Sequence, residues 1–188
     1  PKLLFLRFTQ PNIPSFLQRH LQEHVRCLSQ HFDVTVINDG SCHYKQLCET
    51  NEPNIAMFES GSYVGKRKVT NITACPSVPK VGFLSCDAYC PTRKKAIADM
   101  ARWEISTFFG NSVSLPSYTP SIADNFFAWP NFVIPELHRD YNYPKVIPVL
   151  FTGSQAPNYP WRNPTDPIVS QRHPALHRPH FGRQWQKG

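Results

Sequence analysis

The sequence has no CxxC pair, no GxGxxG or GxxxxGK[ST] loop, and no apolar window near the roughly 20 residues of a membrane span. Each absence removes a class of protein. Without CxxC, the six cysteines (Cys27, Cys42, Cys48, Cys75, Cys86, Cys90) offer little footing for structural zinc. Their spacing is irregular, and a chain of 188 residues can build a core without disulfide staples, so they read as mostly reduced thiols. The opening "PKLLFLRF" lacks the charged, long apolar and small-residue regions of a secretory signal, and a start without Met is expected from a trimmed or processed chain. One triplet, Asn71-Ile72-Thr73, matches the glycosylation acceptor pattern, which means nothing without secretion.

Acidic residues are missing after Asp166, while Arg172, Arg178, Arg183 and Lys187 follow it; the formal charge is +7. Further basic clusters lie at Lys66, Arg67, Lys68 and at Arg93, Lys94, Lys95. Such clusters attract phosphates, or are simply solvated surface. Proline is plentiful, 19 in all and crowded after residue 116, which predicts a loop-rich second half.

"KLLFLRF" (2–8) is a continuous apolar run, as in a strand buried on both faces. From Ile13 the apolar positions Leu17, Leu21, Val25, Leu28 and Phe32 mark one face of a helix, with Pro14 and Ser15 suited to its first turn. "DVTVIN" predicts a second strand, "SCHYKQLCETNEP" a short helix and "NIAMFES" a third strand. After the polar loop "GSYVGKRKVTN", "KVGFLSCDAY" predicts a fourth strand running into a loop, and "PTRKKAIADMARWEIS" (91–106) a helix. "TFFGNSV" reads as a fifth strand, "YTPSIADN" as a short helix or turn, and "FFAWPNFV" as a sixth strand that Pro130 marks as an edge or an ending. This alternation predicts right-handed crossovers and an α/β, doubly wound, Rossmann-like, mostly parallel sheet with helices on both faces over residues 1–133. Residues 134–145 read as a linker. "KVIPVLFTGS" then reads as the first strand of a second lobe, 146–188, expected to be truncated and to end in a basic tail.

Ligands of an open parallel sheet bind beyond the carboxyl ends of its strands, so chemistry is sought in the loops there. The loop after the first strand, "TQPN", has no glycine, which argues against a dinucleotide pyrophosphate at the following helix. Asp87 is expected at the end of strand four, with Tyr89, Cys90, Thr92 and Arg93 close behind. A carboxylate there can serve as general base toward a hydroxyl. Glu59, at the end of strand three and followed by Gly61, is the rival. A helix cap or a solvated carboxylate is the structural alternative for both. "HLQEH" (His20–His24) fits the HxxEH arrangement of inverted zinc peptidases, yet no third ligand is identifiable and both histidines border the apolar stripe; packed boundary histidines are the preferred reading. "GSQAPNYPWR" gathers Gly153, Ser154, Tyr159 and Arg162 in one loop, where backbone N–H groups and a guanidinium could hold phosphate oxygens, or where Arg162 is merely exposed.

The parallel-sheet half, the linker after "WPNFVIPELHRDY", then "VLFTGS" and "YPWR", resembles the crossover between the lobes of a GT-B glycosyltransferase, most similar to the spore-maturation-protein-like branch. The matching motif occupies residues 148–162. The resemblance implies an acceptor lobe followed by the start of a donor lobe. Gly153, Ser154, Tyr159 and Arg162 would face the donor diphosphate. Asp87 would be the base, with Glu59 as second catalytic candidate. Thr9, Gln10, Gly61, Tyr63, Tyr89 and Arg93 would contact the acceptor. The implied donor substrate is a nucleotide-sugar, with no separate cofactor and no metal. Most of a donor lobe, including the acidic residue that usually grips the ribose, is missing from the pattern.

Two readings of different kind follow. One is the acceptor-side domain of a nucleotide-sugar-dependent glycosyltransferase, cytoplasmic and peripheral to the membrane, whose partners are the sugar donor, an unidentified acceptor, and an anionic membrane surface or a second lobe supplied in trans. The other is a non-catalytic flavodoxin-like binding module with a basic tail. Nucleic acid is not an expected partner, because the basic residues are scattered and the aromatics read as core.

Overall fold

A computed structural model describes residues 1–7, 15–61 and 68–129, with Asn142 and Gln171 as isolated positions; within the first helix the side chains of residues 15–17 and 19–21 are not described. The chain divides into two compact units, Pro1–Leu137 and His138–Gly188, and every element below belongs to the first. The expected strand at 146–155 lies outside the described residues.

Six strands form one sheet: β1 (Lys2–Leu6), β2 (Asp33–Ile37), β4 (Ile55–Gly61), β6 (Lys80–Ser85), β7 (Phe108–Gly110) and β8 (Phe126–Ala128). Between them in the chain come the short β3 (Ser41–His43) and β5 (Lys68–Thr70), which pair only with each other. The six run in the order β2-β1-β4-β6-β7-β8, and every neighbouring pair is parallel. The α/β, doubly wound architecture expected from the alternation is therefore the one observed.

The period-2 alternation of a strand sends successive side chains to opposite faces, and both faces here are covered. Leu3, Phe5, Met57, Val81 and Phe83 pack with Val25 and Leu28 of helix α1 (Ser15–Leu28). Their chain neighbours Leu4, Leu6, Ala56, Phe58 and Leu84 pack on the other side with Tyr44 and Cys48 of α2 (Tyr44–Asn51), and with Ala96, Met100 and the following Trp103 of α3 (Thr92–Arg102). Each such large apolar side chain contributes about 1.5–3 kcal/mol by leaving water. Gly82 sits under α3: a Cβ there would lie 2.6 Å from the Met100 sulfur, so only hydrogen lets the helix approach so closely.

Three local features differ from the sequence reading. Ser41–His43, expected to be helical, is strand β3, because Lys68–Thr70, expected to be loop, supplies a parallel partner; Thr70 Oγ1 also donates to the Cys42 carbonyl at 3.3 Å. Helix α2 begins only at Tyr44, where the His43 ring accepts from the Gln46 N–H. Helix α3 ends at Arg102 instead of running to 106. Glu104 takes a left-handed φ of 55°, Glu104 N–H donates to Ala101 O and Ile105 N–H to Met100 O, the pattern of a Schellman stop without its usual glycine. Among the described residues no helix is long and apolar enough to cross a membrane.

Candidate functional site

The chain runs from β1 to β2 on one side of it, then from β2 to β4 on its other side. The carboxyl ends of β1 and β4 thus mark the switch point of the sheet, where open parallel sheets bind ligands.

Two buried ionised groups meet there. Arg7 follows the last residue of β1 and continues its Leu3–Phe5 face; Glu59 lies on β4 in line with Met57. Arg7 Nε is 3.2 Å from Glu59 Oε2, and the residues are 4 % and 2 % exposed. Burial pushes the Arg7 guanidinium below its ordinary value, and the charge and hydrogen bond of Glu59 pull it back up. The guanidinium carbon also stands 5.4 Å from the centre of the Phe5 ring. Glu59, a sequence candidate for base, is therefore engaged by a cation inside the sheet. Arg7 is the residue that the sequence reading passed over. Its signal was available: an arginine closing an otherwise apolar strand, in phase with two core residues.

The next residue of β4, Ser60, faces the other way. Its Oγ donates to Asp99 Oδ2 of α3 at 2.9 Å, and the other Asp99 oxygen pairs with Arg102 Nη2 at 3.0 Å. Gly61 closes β4 opposite Ser85 of β6. A Cβ on Gly61 would come within 2.2 Å of the Ser85 carbonyl oxygen, so this sequence candidate is a close-packing position where any side chain would force the strand ends apart.

Asp87 lies two residues past β6, half-buried, in a turn whose backbone is fixed by Cys90 N–H donating to Asp87 O at 3.0 Å. The Tyr89 hydroxyl donates to Asp87 Oδ2 at 3.2 Å. Arg93, in the first turn of α3, reaches back so that Nη1 bonds the Ala88 carbonyl, while its guanidinium carbon stands 5.3 Å from the centre of the Tyr118 ring. Thr92 Oγ1 donates to Cys90 Sγ at 3.0 Å, and burial pushes the neighbouring Cys86 thiol up to about 12. The fold thus brings Gly61, Asp87, Tyr89 and Arg93 to the carboxyl ends of two adjacent strands and holds Glu59 inside the sheet one turn of pleat earlier. Thr9, Gln10, Tyr63, Gly153, Ser154, Tyr159 and Arg162 lie outside the described residues.

In the HxxEH segment, Glu23 and His24 are buried, and the His24 ring meets Phe83 edge-on at 5.4 Å; the side chain of His20 lies outside the described set. Among the described residues no three His, Cys, Asp or Glu side chains gather as metal ligands would.

This arrangement can do two things chemically. A partly exposed carboxylate beside a hydroxyl can accept a proton from a ligand hydroxyl. A buried ion pair at a strand end sets a fixed dipole there that solvent screens less than it would an exposed pair. No protein-family model matches the chain, and no curated protein matches it significantly.

Proposed function

We propose that Pro1–Leu137 is the acceptor side of a nucleotide-sugar-dependent glycosyltransferase, with Asp87 as its base. The observation that carries this reading is the half-buried Asp87 carboxylate at the carboxyl end of β6, the strand next to β4, hydrogen-bonded by Tyr89 at 3.2 Å. An acceptor hydroxyl seated among Thr9, Gln10, Gly61, Tyr63, Tyr89 and Arg93 passes its proton to Asp87 as its oxygen bonds the anomeric carbon of the sugar. The bond from that carbon to the donor phosphate breaks, and the diphosphate leaves as an anion. Positioning and charge stabilisation supply the rate. Glu59, held by Arg7 at 3.2 Å, serves better as a fixed charge at the strand end than as a proton acceptor. The enzyme works in the cytoplasm, peripheral to an anionic membrane surface that the basic tail from Arg172 to Lys187 suits.

The test is thermal denaturation with a panel of UDP- and GDP-sugars, since a ligand of the native state raises its melting temperature. A saturable rise that Arg162→Ala abolishes supports the reading; no shift with any member of the panel overturns it. Where sugar transfer or slow donor hydrolysis is measurable, Asp87→Asn lowers it about 10²–10⁴-fold with the melting temperature unchanged. Full activity in that variant removes Asp87 from the mechanism.

One observation favours a second reading. The sheet order, with its switch beside β1, is the flavodoxin-like one, which also serves non-catalytic binding modules. A chain that binds an anionic partner but no nucleotide-sugar belongs to this second class.

A further inference from the structure

Among the described lysine and arginine side chains, three belong to residues that the fold draws partly or wholly out of water: Arg7, Lys80 and Arg93. Arg7 is paired with Glu59 at 3.2 Å and Lys80 with Glu104 at 3.5 Å. Arg93 pairs with no carboxylate among the described residues. Its Nε is buried and has no hydrogen-bond partner among them either. A cation withdrawn from water without a counter-charge is costly, and packing alone gives no reason for it. The guanidinium is nevertheless held firmly in place. Cys86, Ala88 and Cys90 are buried and anchor the turn after β6, while Cys90 N–H donates to Asp87 O and Arg93 N–H to Cys90 O, each at 3.0 Å. Within that turn Arg93 Nη1 donates to the Ala88 carbonyl. Against the guanidinium stands Tyr118, the last residue of α4 (Leu115–Tyr118) in the connection after β7, its ring centre 5.3 Å from the guanidinium carbon. Leu115, fully buried, ties α4 to the core, and Tyr118 itself is 53 % exposed. The protein thus uses Nη1 and the π face of the guanidinium. What remains is the Nε–Nη2 edge, the edge that grips an oxyanion through two parallel N–H bonds. Of these two nitrogens Nε is buried and Nη2 is not, so the edge is approached from the Nη2 end.

We propose that Arg93, steadied by Tyr118, is an oxyanion site at the carboxyl ends of β6 and β7, and that the acceptor it serves is acidic, carrying a carboxylate or a phosphate monoester. That the ligand is an acceptor rests on the proposed sugar transfer; that an oxyanion binds at Arg93 does not. The acid group on the Nε–Nη2 edge supplies the counter-charge that Glu59 gives Arg7 and Glu104 gives Lys80. Asp87 and Arg93 belong to one turn, so a single ligand presents its acid to Arg93 and a hydroxyl to Asp87. Tyr118 is the residue of this site that the sequence reading did not single out. It reaches Arg93 only because β7 lies beside β6 and Leu115 pins α4.

The experiment uses the whole isotope-labelled chain and follows the Arg93 Nε–Hε signal and the amides of Asp87 through Arg93 by NMR. Methyl glucoside, glucuronate and glucose-6-phosphate are added at constant ionic strength. The expected result is a saturable shift with at least one of the two acids, the stronger response telling carboxylate from phosphate, and a response to the neutral glucoside at least about tenfold weaker. Arg93→Lys keeps the charge but loses the two-pronged edge, and weakens acid binding about tenfold or more. Tyr118→Leu weakens it about two- to fivefold. The comparison of acid with neutral sugar on the wild type decides the matter even if a variant folds poorly. An equal response to the glucoside, no response at Arg93 to either acid, or undiminished acid binding by folded Arg93→Lys overturns the proposal. Nucleotide-sugar binding without an acid response at Arg93 sinks this inference alone. Acid binding at Arg93 by a chain that binds no nucleotide-sugar supports the oxyanion site and removes the sugar transfer.

Discussion

Glu59 and Ser60 are adjacent on β4, yet they end the two faces of the sheet differently. On the α1 face the apolar rows of Leu3, Phe5 and Met57 give way to an ion pair, Arg7 with Glu59 at 3.2 Å. On the α2 and α3 face they give way to a hydroxyl, Ser60, donating to a carboxylate that its own helix neutralises through Arg102. The second arrangement is inexpensive, because the 61 % exposed Arg102 side chain keeps its charge largely in water. The first requires two charges to leave water, and their attraction rarely more than offsets that loss. The pair thus contributes little net stability for the two charges it buries at the switch point of the sheet.

Breaking the ion pair tests that distinction with the largest effect. Glu59→Gln leaves a buried guanidinium without its counter-charge and lowers stability by about 3–5 kcal/mol in urea denaturation. Replacing both partners, Arg7→Met with Glu59→Leu, restores stability to within about 1–2 kcal/mol of the wild type. A double variant as unstable as the single one would make the pair a structural necessity. Alkali should act on the opposite face. Burial raises the thiols of Cys86 to about 12 and of Cys48 to about 11 from an ordinary 9.0, and both sit in the cluster under α2 and α3. The folded state keeps these protons while the unfolded chain loses them. Their contribution is thus fully present below pH 9.0 and declines as pH climbs toward about 11–12. Melting curves across this range should fall less steeply for Cys86→Ala. Next in size, Asp99→Ala leaves the buried Ser60 hydroxyl without its acceptor and costs about 1–3 kcal/mol; adding Ser60→Ala should recover part of it, the sign of a coupled pair. Smallest of all, Glu49→Ala removes an exposed partner of Lys45 on α2 and should change stability by about 0.5 kcal/mol or less.

The same contrast marks what could be read in the sequence. The six strands of the main sheet, and helices on both of its faces, were legible because apolar runs and a helical stripe at Val25 and Leu28 encode burial directly. The small β3–β5 pair was not, since three-residue strands far apart in the chain carry no period of their own. The stop of α3 was overrun because a glutamate, Glu104, holds the left-handed position where glycine is the usual sign. Asp87 was recognisable as a loop carboxylate following a strand. The direction in which Glu59 points follows from pleat parity with Met57, and so was present in the sequence, but its partner Arg7 becomes visible only once β1 and β4 lie side by side.

The most direct test of the account is an amide chemical-shift titration of the labelled chain with UDP-glucose and related nucleotide-sugars. Perturbations gathered at the carboxyl ends of the strands, at Arg7, Gly61 and Asp87 through Arg93, are the predicted result. Perturbations confined to the amino ends, near Lys2, Asn54 and Lys80, or none at saturating ligand, would contradict it.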